Sequence, residues 1–102
     1  MTSRPVIVRP LARWDIARAA RWYERQSEGL GSRFVAAVDP ALEAVGADAD
    51  RFPAVHRDVR RARLDAFPFA VYYVLRAEAV QVLAVTHGRR HPSPWQRRSG
   101  TG

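Results

Sequence analysis

Three histidines and a set of arginines carry the chemistry open to this 102-residue chain. Metal-free RNA cleavage needs a base for the 2′-hydroxyl proton, cations for the charge that builds in the transition state, and an acid for the leaving oxygen. Arg supplies the cation well but is a poor proton carrier, because its pKa lies above about 12. The proton-carrying candidates are therefore His87, His91 and His56, with Arg60, Arg61, Arg63, Arg89 and Arg90 as cations, and the preferred set is His87 with Arg61, Arg63 and Arg89. His56 lies in the connection before the first C-terminal strand and reads as structural or exposed, and His91 sits between Arg90 and Pro92 in a polar loop. The same region also reads as a binding surface. Arg57, Arg60, Arg61, Arg63, Arg89 and Arg90 form a strip suited to acidic groups, or simply a solvated charged face. No pair of histidines has metal-site spacing and nearby carboxylates are few, so we expect no metal and no cofactor.

These residues need a scaffold, and its elements follow from hydrophobic period. "PVIV" (5–8) is short and β-branched, and reads as a strand. Pro10 suits the first position of a helix. Ile16, Ala19, Ala20 and Tyr23 then repeat at helical spacing over residues 11–26. "SEGLGS" ends this helix, with Gly29 fitted to a left-handed position. Leu30, Phe34, Ala37, Val38, Ala41, Leu42 and Val45 mark a second helix close behind, so the two form an antiparallel hairpin. Pro40 predicts a kink in it. We assign Trp14, Trp22 and Phe34 to the core or to helix–helix contacts.

The second half changes period. "VRRARLDA", "FAVYYVL" (69–75) and "AVQVLAVT" (79–86) read as three strands, the last two rich in aromatic and β-branched residues. Side chains alternate along a strand, so Arg61 and Arg63 share a face, and His87 ends the last strand near them if all lie in one sheet. The predicted layout is β-α-α-β-β-β: an α+β two-layer domain with a helical hairpin on one face of a small, mainly antiparallel sheet. The other sheet face is expected to be free and to carry Arg. Trp95 is expected to fold back on the sheet edge, and residues 96–102 to form a flexible tail.

Composition narrows the function classes. The length fits one domain spanning residues 1–102. No apolar run is long enough for a membrane span, and the N-terminus lacks a signal-peptide core. With no cysteine, disulfide and thiol chemistry are absent, and a cytoplasmic protein is the expectation. The net charge of +7 favours an acidic partner. All 17 basic residues are Arg, which pairs bidentately with phosphate and carboxylate, although a codon-biased genome produces the same choice.

Three stretches in this order, "ARWYERQSEGLGSRFVAAV" (20–38), "RRARLDAFPFAVYYVL" (60–75) and "VLAVTHGRRHPSPW" (82–95), resemble the RelE/ParE toxin superfamily of bacterial type II toxin–antitoxin systems, closest to ParE-like members. The resemblance spans roughly residues 5–95. It implies a toxin that causes growth arrest and plasmid stabilisation, neutralised by a cognate antitoxin with an acidic arm. Its target is left open: ParE-type members are described as poisoning DNA gyrase, whereas RelE-like members cut messenger RNA on the ribosome. Pro40 departs from the uninterrupted helix of the family. RNA-cutting relatives carry Tyr or Lys in the C-terminal segment, and residues 88–102 have neither. We therefore favour action on gyrase by binding over a metal-independent endoribonuclease. A generic basic nucleic-acid-binding module is a third reading, disfavoured because no exposed aromatics are interleaved on the basic strip.

Overall fold

The computed structural model describes residues 3–88. The chain runs β1 (Val6–Val8), α1 (Pro10–Gln26), α2 (Leu30–Ala47), a 3₁₀ turn (Ala49–Arg51), β2 (Ala54–His56), β3 (Val59–Arg63), β4 (Phe69–Leu75) and β5 (Val80–His87). The sheet order is β1-β5-β4-β3-β2. β1 is parallel to β5 and every other pair is antiparallel. The architecture is the expected α+β layout with one strand added: β2 is three residues long and its pairing with β3 shifts register, too short to show a period. The expected tail at 96–102 and the position of Trp95 lie outside the described residues.

Local chemistry sets the helix ends. Pro10 opens α1, where its missing N–H would be unpaired in any case. Ser27 closes it, donating its N–H to the Tyr23 carbonyl. Gly29 then takes φ 85°, a left-handed turn that favours glycine and starts α2 within three residues. α2 continues through Pro40, which is exposed, as is Ala36 one turn before it. The hairpin closes tightly at Gly31, where a Cβ would stand 2.6 Å from the Ala20 carbonyl oxygen.

Glu24 clamps this joint. Its carboxylate accepts the N–H groups of Gly29 and Gly31, each at 2.9 Å, satisfying donors that the start of α2 leaves open. Those two bonds hold its pKa below the usual glutamate value. A lowered folded-state pKa gives stability that is present above the unfolded value and is lost as pH falls through the folded one. The E24Q variant is expected to be less stable at neutral pH. Its deficit should close as the medium becomes more acid than the ordinary carboxylate range. Denaturant midpoints across pH read this directly, and a deficit independent of pH rules out the charged clamp.

The helices cover one sheet face. Ala12, Ala19, Phe34, Val38 and Val45 meet Ala62, Leu64, Val71, Tyr73, Val80, Val82 and Val85 in one core cluster. Tyr73 buries its ring there and donates its hydroxyl to the Ala49 carbonyl at 2.6 Å, and burial pushes its pKa up to about 12. The opposite face corrects the expectation of a free surface. Val59, Ala70, Tyr72, Val74, Leu83 and Ala84 are at most 1% exposed and form a second cluster of strand residues to which no helix contributes. "FAVYYVL" is apolar without alternation, as expected of a strand buried on both sides.

β5 is irregular at one point. Tyr72 pairs with Ala84 and Tyr73 with Val82, leaving Leu83 as an extra residue. Leu83 and Ala84 both join the second cluster, while Val82 and Val85 face the helices. This is a β-bulge, and it reverses the facing of every residue after it.

Candidate functional site

The register places the arginines of β3 on two faces. Arg61 pairs with Tyr72 and Arg63 with Ala70, so both lie on the face away from the helices, as alternation predicts. Arg61 is half-buried and Arg63 is exposed. The Arg63 guanidinium lies by the end of β5, where a Cβ at Gly88 would stand 3.9 Å from its Nη1. Arg60 points the other way and is structural: its Nη1 donates to the carbonyls of Phe52 at 2.6 Å and Asp50 at 3.1 Å. Arg57 sits exposed in the β2–β3 turn with φ 52°. Arg89, Arg90 and His91 lie outside the described residues.

His87 is turned by the register to the face opposite that of Arg61 and Arg63. It pairs with Phe69, and the two rings lie 5.8 Å apart. Phe69 packs on the helix-facing cluster, so His87 is on that side of the sheet. Without the bulge, plain alternation from Val80 would turn His87 to the arginine face. The extra Leu83 turns it away. His56 is in β2, opposite Val59. Val59 belongs to the strand-only cluster, so this pairing puts His56, and not His87, toward the face that carries Arg61 and Arg63, although the β2–β3 register shifts between Ala54 and His56.

A second surface was missed by the sequence reading. Trp14 is 54% exposed and Trp22 51% exposed, against the expectation of core positions, whereas Phe34 is fully buried as expected. Leu11 is exposed too. At 100° per residue, Leu11, Trp14, Arg18, Arg21, Trp22 and Arg25 occupy one continuous face of α1, opposite Ala12, Ile16, Ala19 and Tyr23. Arg21 lies over the Trp14 ring at 5.4 Å, and Trp22 meets Tyr23 edge-on at 5.1 Å. Large aromatics left in water beside cations make an apolar area bordered by charges, a composition suited to contact with a partner that carries carboxylates. The signal was present in the spacing 11, 14, 18, 21, 22, 25, all of it off the stripe that marks the core.

No helix among the described residues is long and apolar enough to cross a membrane. No curated protein matches the chain significantly. Among solved structures, the "Chromosomal ParDE TA system from P. aeruginosa" matches with a TM-score of 0.64 and 16% identity, covering 83% of this chain and 96% of that one. At that identity the likeness speaks for the fold. The family model described as "ParE toxin of type II toxin-antitoxin system, parDE" matches residues 6–92, and by that match the chain belongs to the ParE toxin family.

Proposed function

We propose that this protein is a cytoplasmic ParE-type toxin that inhibits DNA gyrase by binding and is neutralised by a cognate antitoxin. The observation that carries the preference for binding over catalysis is the placement of His87. A general base for RNA cleavage must reach the 2′-hydroxyl while cations hold the phosphate, and here the imidazole and the Arg61–Arg63 pair belong to opposite sheet faces. Guanidinium groups alone recognise anions and do not turn them over, and His87 is not placed to carry protons for them.

The antitoxin's place follows from complementarity. An amphipathic, acidic arm would set apolar side chains on Leu11, Trp14 and Trp22 and carboxylates on Arg18, Arg21 and Arg25. A disordered arm that folds on its partner can continue toward Arg61 and Arg63 and gain area without a deep pocket. Growth arrest and plasmid stabilisation are the cellular effects expected of such a pair.

Purified toxin should block gyrase supercoiling and leave ribosome-bound messenger intact. Messenger cut at codon boundaries, with supercoiling unaffected, would reverse the assignment in favour of an endoribonuclease. Charge reversal at Arg61 and Arg63 should lower antitoxin affinity modestly, since exposed pairs contribute roughly 0.2–1 kcal/mol each, and should flatten its salt dependence. A titration with unchanged affinity and salt slope removes these residues from the interface.

A further inference from the structure

We propose that the cleft bounded by Arg9, Val74, Arg76 and Gln81 is a phosphate-binding site. It has a volume of about 280 Å³, just below the roughly 300–1,000 Å³ of small-molecule sites, so it suits a single compact group. Val74 forms its apolar wall and belongs to the strand-only cluster, which places the cleft on the sheet face away from the helices. Gln81 is the cross-strand partner of Val74 and also pairs with Ile7 of β1, two residues before Arg9. Arg76 follows β4 and is held by its own N–H bond to the Ala79 carbonyl.

Two arginines from different elements thus line one small space together with a glutamine, and no acidic residue is among its lining residues. Among the described residues the side chains of Arg9 and Gln81 make no hydrogen bond. Arg76 directs one nitrogen, Nη1, to Asp58 at 3.0 Å across an exposed pair. A guanidinium carries five donors, so most of those on Arg76 remain open. The donor set of the lining favours phosphate over carboxylate. A carboxylate offers its two oxygens in one plane, whereas a tetrahedral phosphate offers more oxygens in more directions and so suits donors from two arginines and an amide arriving from separate elements. The site does not rest on the toxin reading: phosphate binding can be lost with gyrase inhibition intact, and the reverse.

The test is titration of the full chain with inorganic phosphate at constant ionic strength, followed by NMR of the Arg9 Nε–H and the Gln81 side-chain amide. Both signals are expected to shift and saturate. R9Q should weaken binding by roughly tenfold to a hundredfold, the loss expected for a charge-assisted contact. Q81E, which puts a negative charge into the cleft, should abolish it. R33Q, an equal loss of charge at an exposed site on α2, should bind as the parent does. Thermal midpoints in chloride confirm that each variant is folded. Phosphate affinity unchanged in both R9Q and Q81E overturns the site, and so does an equal loss in R33Q, which signals diffuse attraction. Competition by a short single-stranded oligodeoxynucleotide then separates the two sources. Displacement of phosphate that R9Q abolishes supports the cleft as a seat for backbone phosphate, and absence of displacement supports it as a seat for a free phosphate monoester.

Discussion

Replacing Trp14 and Trp22 together with alanine is expected to abolish antitoxin binding while leaving the fold intact. Both rings are about half exposed and neither belongs to the buried core. Substitutions at such positions usually change stability by no more than about 0.5 kcal/mol. At an interface the same rings act as anchors. Truncating a tryptophan at a binding hot spot costs about 2–4 kcal/mol, or roughly thirtyfold to a thousandfold in affinity. Arg21 over Trp14 adds pre-orientation, because a cation–π contact at an exposed site is worth about 0.5–1 kcal/mol and limits the rotamers the indole must give up on binding. The double variant should therefore exceed charge reversal at Arg61 and Arg63 by orders of magnitude. Calorimetric titration of the folded variant with the antitoxin decides the matter. Affinity within threefold of the parent would show that the arm lies elsewhere, and the α1 face would then need another partner.

How much of this surface could be read in advance depends on which physical signal carries each residue. Both helices were legible because their buried residues repeat at 3.6, and β4 and β5 because they are β-branched and aromatic. The shared face of Arg61 and Arg63, and their separation from Arg60, followed from alternation alone. Besides the three-residue β2, three features were not legible. The parallel contact of β1 with β5 joins segments more than seventy residues apart, and a period says that a strand exists, not which strand it meets. The second buried face was written in the unbroken apolar run of β4, but a preference for one-sided sheets hid it. The facing of His87 was hidden more deeply. It depends on one extra residue at Leu83, and a bulge leaves no mark in a sequence whose neighbours, Val82 and Ala84, are both apolar. The same preference for burying large aromatics misplaced Trp14 and Trp22, though helical geometry sets them opposite the core stripe.

Phe34→Ala is expected to be the most destabilising single change in the described part of the chain. Phe34 is fully buried and touches each layer of the domain. It stacks on Tyr23 of α1 at 5.3 Å, and meets Phe67 of the β3–β4 connection at 5.2 Å and Phe69 of β4 at 5.0 Å edge-on. Phe to Ala in a core costs about 3–5 kcal/mol from lost transfer energy and the cavity left behind. Domains of this size are stable by only about 5–15 kcal/mol in all, so the variant retains a thin margin. A loss of that size lowers the thermal midpoint by at least about 12 °C, at roughly 4–8 °C per kcal/mol. Val35, the next residue, is 42% exposed, and Val35→Ala should change stability by less than about 0.5 kcal/mol. The contrast between neighbours on one helix isolates burial from helix propensity. It also keeps stability apart from recognition, because Trp22 rests on Tyr23 but points to solvent. At a temperature where Phe34→Ala is still folded, its antitoxin affinity should match the parent's, while the double tryptophan variant fails to bind at any temperature. A Phe34→Ala loss below about 1.5 kcal/mol in urea would show that the aromatic knot is not what fastens the helical hairpin to the sheet.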